Sequence, residues 1–507
     1  MKIYKYRCMK KGLCFFCVLF LSSFLLSSEA QVWQWSTPVK SDYSSVSEAF
    51  LWIPVQNQEG KEQEITFAPL PDIPVNTKSI RLQATSNSGM KVRFYVKEGP
   101  AELISENELL FTKIPLRSKY PVKVTVVAWQ YGRSSEPKIK SAVPVERSFF
   151  LTKSSSAQGF IHPGVLHTQE DLKRIFQLVK DKVYPAYGSF LLLKGHKSSQ
   201  ADYRMEGPFR VISRDGEYRH TKGKMEADFS AAYQNALMWT LTGDEAHARK
   251  SLDILTAYAD SLQLIPETND APLLAGLEGL KIIYALEILK YTYPDASGQQ
   301  IRHIAQMFEK IFIPVMENFY TRKPYTNGNW GPIVCKAYMA AGIFLDNREM
   351  YEKAKDFYLH ANDNGTIVNY ISGETGQIQE SGRDQGHSML GIGALATVCE
   401  IAYKQGDDLY SSLDNRLLKG FEYVAKYNLG QDVPFTTWTD ITGKYSQWTK
   451  ISDISRGKFI PVFEMAYNHY VKRKGLKMPY TLQVLEKIRP EGFDRDQPAF
   501  GTLLFNN

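Results

Sequence analysis

Trp239-Thr240-Leu241-Thr242-Gly243-Asp244-Glu245 joins two apolar-periodic runs, over 228–242 and 245–262. Two further stretches read the same way: Gly342-Ile343-Phe344-Leu345-Asp346-Asn347 and Ala402-Tyr403-Lys404-Gln405-Gly406-Asp407-Asp408. In each, one helix ends at a Gly or Asp/Asn turn and the next starts within a few residues. Short turns between helices make antiparallel αα-hairpins. Working outward, amphipathic stretches recur near 170–183, 273–293, 298–319, 331–345, 347–361, 387–405, 412–428 and 458–473. The first opens at Thr168, a good N-cap, with Gln169, Glu170 and Asp171 in its first turn. Hairpins in this number predict an α/α barrel or incomplete toroid over residues 160–507. A plain solenoid is the alternative, but no strict sequence period supports one.

Residues 31–152 follow another rule. Ala49–Val55, Ser79–Ala84, Lys91–Val96 and Val122–Ala128 are short runs rich in branched and aromatic residues, mostly of period two, with Asn, Gly, Pro and Ser between them. They predict a small β-sandwich domain. A Ser-rich linker, 153–159, separates the two regimes.

The first thirty residues predict a secretory signal: five basic residues, an apolar run from Leu13 to Leu26, then Ser28-Glu29-Ala30 as a cleavage site. The run is short for a bilayer crossing, which needs about 20 apolar residues, and no later span is long and uncharged enough. A periplasmic or secreted protein is expected. Losing that segment, with its five basic residues and one acid, takes the formal net charge from +7 to +3. Such a balance gives no reason to expect a nucleic-acid partner, yet it leaves room for a local basic cleft. Of five cysteines, only Cys335 and Cys399 lie beyond the signal, as two thiols or one disulfide.

Three regions resist helical reading, 195–226, 362–386 and 429–456, and long ordered connections are often functional. In the second, Gln379-Glu380-Ser381-Gly382-Arg383-Asp384-Gln385-Gly386-His387-Ser388 crowds acids, amides, an arginine and a histidine before a helix containing Gly391, Gly393 and Ala394. Unpaired groups this polar are costly to bury, so a site rim is expected; the plainer alternative is a solvated loop capped by Asp384. Tyr325-Thr326-Asn327-Gly328-Asn329-Trp330-Gly331-Pro332 brings two amides and an indole to a helix start. Ordinary capping would also explain it. The third region carries Trp438, Tyr445, Trp448 and Arg456, readable as sugar platforms or as loop anchors. The first carries Arg204, with Arg214, Arg219 and His220 behind it.

These residue types suit an acidic sugar polymer. Eliminating across C4–C5 of a uronate needs its carboxylate charge neutralised, the C5 proton removed and the leaving oxygen protonated. Glu380, Arg383, Asn329 and His387 supply neutralisers; His387 and Tyr445 supply acid and base. A glycosidase would need two separated carboxylates, and Glu380 and Asp384 stand close together beside Arg383. A non-catalytic glycan binder of an uptake system is the third reading. No HExxH, His-x-x-x-His, P-loop or dinucleotide fingerprint occurs, so no metal or cofactor is expected.

At these residues the sequence resembles the alginate-lyase-like helical polysaccharide lyases of gut and marine Bacteroidetes, over about 160–505. The resemblance rests on Ile161-His162-Pro163-Gly164-Val165-Leu166-His167-Thr168, Asn327–Gly331, Glu380–His387, Glu422–Gly430, Tyr467-Asn468-His469-Tyr470 and Arg489-Pro490-Glu491-Gly492-Phe493. The β domain resembles the Ig-like modules attached to such enzymes. The resemblance implies an α/α toroid, β-elimination on alginate or a related uronan, and export. It implies His387 as neutraliser or base, Glu380 and Asn329 on the substrate carboxylate, and a late-loop tyrosine as acid/base. Tyr445 is the first choice for that tyrosine and Tyr370 the rival. Phe463 stands where relatives carry tyrosine; if that tyrosine is catalytic, this chain lacks it. Trp330, Trp438, Trp448, Arg456, Tyr370 and Arg204 are expected to contact substrate.

Overall fold

The computed structural model describes residues 39–40, 50–51, 57–75, 77–112, 114, 121–152, 159–321 and 327–506. The expected signal, most of the first expected strand and most of the linker lie outside these residues. The chain divides into two compact units, one ending at residue 156 and the other starting at 157.

In the first unit, β-strands pair mainly antiparallel. Val122–Trp129 lies between Arg93–Glu98 and Val145–Thr152, and Ile73–Pro74 adds in parallel to the last. Glu108–Phe111 pairs with Ser79–Arg81 and Ala101–Leu103, and Ile65–Phe67 pairs with Ala84–Ser86. Alternate residues point inward: Val124 and Val126 from one strand, Phe149 and Leu151 from its neighbour. They join Phe67, Leu82 and Leu109 in one core. Strands 108–111 and 145–152 have no counterpart in the sequence reading, and neither do the shorter ones at 65–67, 73–74 and 101–103. At two or three residues those shorter ones cannot show a period.

The second unit is helical. Its helices are α1 (Gln169–Lys180), α2 (Ala186–Gly195), α3 (Lys222–Thr242), α4 (Glu245–Ser261), α5 (Ala271–Thr292), α6 (Gly298–Thr321), α7 (Trp330–Phe344), α8 (Arg348–His360), α9 (Ile367–Tyr370), α10 (Gln385–Lys404), α11 (Ser412–Asn428), α12 (Phe463–Tyr467), α13 (Pro479–Ile488) and α14 (Gly501–Leu504). The quoted hand-over behaves as its residues require. Gly243 ends α3 at φ 72°, and the Asp244 side chain accepts the Ala246 N–H to start α4. Asn347 caps α8 in the same manner, accepting from Met350.

The helices sort into two layers. α3, α5, α7 and α10 are buried on nearly every face, and they pack in series: α3 on α5, α5 on α7, α7 on α10. Their hairpin partners α4, α6, α8 and α11 each bury one stripe and lie outside. A helix apolar all round belongs inside, and an amphipathic one belongs at the surface. The alternation turns the inner helices the same way, so their N-terminal ends gather at one rim. α2 and α13 went unread from sequence. The apolar run Phe190-Leu191-Leu192-Leu193 has no helical period, and α13 is short and begins at Pro479.

The two ends of this unit meet. Arg174 of α1 donates from Nη1 to the Asn506 carbonyl and from Nη2 to the Leu504 carbonyl, both at 2.7 Å. Ser189 of α2 donates to the Glu491 carbonyl at 2.7 Å. Cys335 and Cys399 are separate buried thiols. Cys335 donates to the Ala354 carbonyl and Cys399 to the Tyr358 hydroxyl, each at 3.2 Å.

Candidate active site

The gathered N-terminal ends bring together segments far apart in the chain. Asp384 caps α10: its Oδ1 accepts the His387 N–H at 2.7 Å, and its Oδ2 lies 2.6 Å from His387 Nδ1. The cap that the sequence offered as the plainer alternative is present, and the same residue also orients a histidine ring. A carboxylate on Nδ1 holds the imidazole with its proton there and leaves Nε2 as the open nitrogen. Nε2 has no protein partner among the described residues, and the His387 side chain is 38% exposed. Burial would raise the Asp384 carboxyl, but the His387 donors and the charge of Arg383 outweigh it and hold the group below its ordinary value.

Glu380 lies beneath this pair and is fully buried. Asn329 donates to it from the backbone N–H at 3.0 Å and from Nδ2 to both oxygens at 2.9 and 2.8 Å. Tyr370 Oη adds a bond at 3.0 Å and Arg383 Nη1 one at 2.7 Å. A carboxylate has about four acceptor positions, so Glu380 has none left for a ligand. Glu380 and Asn329 therefore grip each other rather than a substrate carboxylate. Arg383 keeps 25% exposure and carries the positive charge to the surface. Burial would lower its pKa, and the Glu380 carboxylate more than reverses that.

Tyr370 is fully buried, and its hydroxyl donates to Glu380 and to the His387 carbonyl, the latter at 3.3 Å. Burial raises its pKa well above the usual phenol value. It cannot meet substrate as the sequence reading expected, and it serves as a prop between Glu380 and α10. Gly391 leaves the space that its hydroxyl fills.

The late loop closes over this cluster. Ser452 N–H donates to the Ser381 carbonyl, and Gln385 N–H to the Ile454 carbonyl, both at 2.9 Å. Asp440 orders the loop's turn by accepting from Tyr445 N–H at 2.8 Å, Thr442 N–H at 2.9 Å and Asn364 Nδ2 at 3.0 Å. Tyr445, partly exposed, donates its hydroxyl to Asn327 Oδ1. Burial raises its pKa first, and Arg383 opposes while the Glu380, Asp440 and Asp384 charges add to the rise. The phenol is thus protonated at neutral pH. Trp448 packs against Tyr445 with ring centroids 4.0 Å apart and planes tilted by 34°, and leans on the Gly382 backbone.

Other expected contacts lie elsewhere. Trp330 is 5% exposed and sits in the core, so it offers no sugar platform. Arg456 spends its guanidinium on the Tyr427 ring at 3.8 Å, the Tyr427 carbonyl at 2.9 Å and Asp453 at 3.1 Å, which makes it a loop anchor. Phe463 is fully buried between Phe421 and Phe459, away from any surface chemistry. Trp438 is partly exposed on a stretch tied down through Thr436 and Gln377, and Arg204 is exposed on the loop ahead of α3. Sequence reasoning singled out the segment of Asn327 without giving that amide a role, and it missed Asn364 as a support. Both lie in long connections, where an amide facing inward leaves no periodic trace. Among the described residues, no group of three or more His, Cys, Asp or Glu is placed to hold a metal.

An all-helical toroid with an Asp-supported histidine, an arginine and a protonated tyrosine at one rim holds the groups that elimination on an acidic sugar calls for. More particularly, residues 193–434 match the family model described as alginate lyase. No curated protein matches the chain. Among solved structures, alginate lyase A1-III complexed with a tetrasaccharide is 14% identical, with a TM-score of 0.51 over 66% of this chain and 94% of that one. At that identity the likeness is one of fold. Alginate lyase A1-III from Sphingomonas species A1 is 13% identical, with a TM-score of 0.49 over 66% and 95% of the two chains. An alginate lyase from Bacteroides ovatus is 13% identical, with a TM-score of 0.45 over 68% and 100%.

Proposed function

We propose that the protein cleaves alginate or a related uronan by β-elimination. The observation that carries this reading is His387, whose Nδ1 is held by Asp384 and whose Nε2 is open, on the rim that also bears Arg383 and Tyr445. Arg383 meets the substrate carboxylate and stabilises the charge that develops when C5 loses its proton. His387 Nε2 takes that proton. The electron pair forms the C4–C5 double bond, the bond from C4 to the glycosidic oxygen breaks, and Tyr445 Oη protonates the leaving oxygen. Glu380, Asn329, Tyr370 and Asp384 touch no substrate and hold the other three in place. A hydrolase finds less support, because both nearby carboxylates are engaged by protein donors. The basic-then-apolar start of the chain supports export to the periplasm or beyond, with an acidic polysaccharide as partner.

Incubation with alginate, polymannuronate, glucuronan and glycosaminoglycans tests the reaction. At least one should yield ultraviolet-absorbing unsaturated ends, and His387→Ala should lose at least roughly 100-fold in rate. Saturated reducing ends would instead mean hydrolysis. Binding without turnover across the panel would leave only a glycan-binding protein.

A further inference from the structure

The C-terminal turn Asp494–Gln497 crosses the inside of the ring and takes no part in the chemistry above. Several inner helices hold it. Lys336 of α7, 1% exposed, donates from Nζ to the Asp496 carbonyl at 3.2 Å. Gln497 Nε2 donates to the Leu390 carbonyl of α10 at 3.2 Å. Within the turn, Asp494 Oδ1 accepts the Asp496 N–H at 2.8 Å. On the α3 side, Arg495 Nη1 lies 3.4 Å from Glu226 Oε2. Leu390 is one helical turn beyond His387, and Glu226 lies in the second turn of α3. The turn therefore spans from the catalytic wall to the opposite one, close to the same rim.

Its one outward-facing side chain is cationic. Arg495 is 60% exposed while Gln497, two residues on, is buried. Glu226, 2% exposed, faces two guanidiniums: Arg214 Nη1 at 2.7 Å and Arg495 at 3.4 Å. The Arg214 side chain is 10% exposed and its Nε has no hydrogen-bond partner, nor has Glu226 Oε2. One carboxylate thus faces two guanidiniums, and the turn adds Asp494 and Asp496 on either side of Arg495. Lys281 pairs with Glu278 at 3.0 Å, and burial pushes Glu278 up to about 7. Burial also raises Asp494.

We propose that Arg495, backed by Arg214, is a second carboxylate-binding subsite, taking the acid group of a uronate residue further along the polymer than the one cleaved. This deepens the lyase reading and rests on it for the placement of the chain. A planar guanidinium fork can bind a carboxylate through two parallel hydrogen bonds, which suits a repeating acid.

The test uses binding, so that it stands apart from turnover. In the His387→Ala background, affinity electrophoresis through gels containing polyglucuronate, polymannuronate or neutral mannan compares Arg495→Ala, Arg495→Gln and Arg495→Lys. The Ala and Gln variants should bind a polyuronate roughly tenfold more weakly, with Lys between them and the starting protein. Mannan mobility should be the same for all. Equal thermal midpoints for the Gln variant and its parent would show the fold intact. Unchanged polyuronate affinity in the Ala and Gln variants, or no polyuronate binding by the parent, overturns the subsite. Full turnover by the His387→Ala single variant would sink the lyase mechanism while leaving a measured Arg495 affinity loss standing.

Discussion

Asp384 accepts from His387 twice, once at the backbone and once at the ring, so it both starts α10 and sets the imidazole tautomer. Asp384→Asn keeps a cap but presents an amide that can donate to the ring nitrogen, turning the wrong nitrogen toward substrate. Turnover should fall by about 100-fold with KM changed much less, as steady-state rates on the preferred uronan would reveal. Linkage gives the same residue a second signature. Its carboxyl is held below the ordinary value near 3.9 by donors that exist only in the fold. The stabilisation is present above that ordinary value and is lost as pH falls through the lowered one. The Asn variant should therefore lose more of its thermal midpoint at pH 7 than at pH 3. An equal loss at both would assign the effect to capping alone. The residue types at this rim were legible in the sequence, but their division of labour was not. Glu380 and His387 are both polar and close in sequence, yet one is sealed and the other open. Which way a side chain faces in a loop depends on partners such as Asn329 and Tyr370, which arrive from elsewhere in the chain.

The late loop is the element that carries Tyr445, and it has no helix of its own between α11 and α12. Its position comes from the Ser452–Ser381 and Ile454–Gln385 backbone bonds and from Trp448 lying on Gly382. A Cβ at Gly382 would come within 2.6 Å of Trp448 Cβ, closer than real contacts allow. Gly382→Ala should push the indole away, and with it the Tyr445 ring it packs against. Turnover should drop roughly tenfold or more while the thermal midpoint moves little, because the loop lies outside the helical core. Activity and midpoint measured on the same preparation separate this from general unfolding. The aromatics of this loop were readable as sugar platforms. Trp448 instead braces a neighbour, and Arg456 anchors the loop to α11. The hairpins were easier to read because their signals are local: a glycine that can turn left-handed, a cap, and a period of 3.6.

Across the whole helical unit, a buried charge network ties α1, α10 and the segment after α12. Lys404 lies 2.7 Å from Asp171 and 3.1 Å from Glu400, and Arg473 binds Glu400 at 2.9 Å. Burial would raise both acids, but these cations overcome it and bring Asp171 and Glu400 down to about 2. The network stabilises the fold above the ordinary carboxylate range, and that contribution is lost as pH drops from about 4 toward 2. Lys404→Ala removes the nearest cation from Asp171 and one of the two from Glu400, at a cost of about 3 kcal/mol near neutrality. Its unfolding midpoint, measured calorimetrically, should approach that of the parent as pH nears 2. Nothing in the periodicity announced this network or the C-terminal turn in the ring. Each is a long-range meeting of residues that look ordinary in their own neighbourhoods.

The clasp between Arg174 and the Leu504 and Asn506 carbonyls has a bearing on biosynthesis. Hairpins can form as they emerge, yet α1 cannot make this contact until residues 504 and 506 have been made. That clasp joins positions 330 apart in the chain, so it seals late, after the hairpins between them have had time to form.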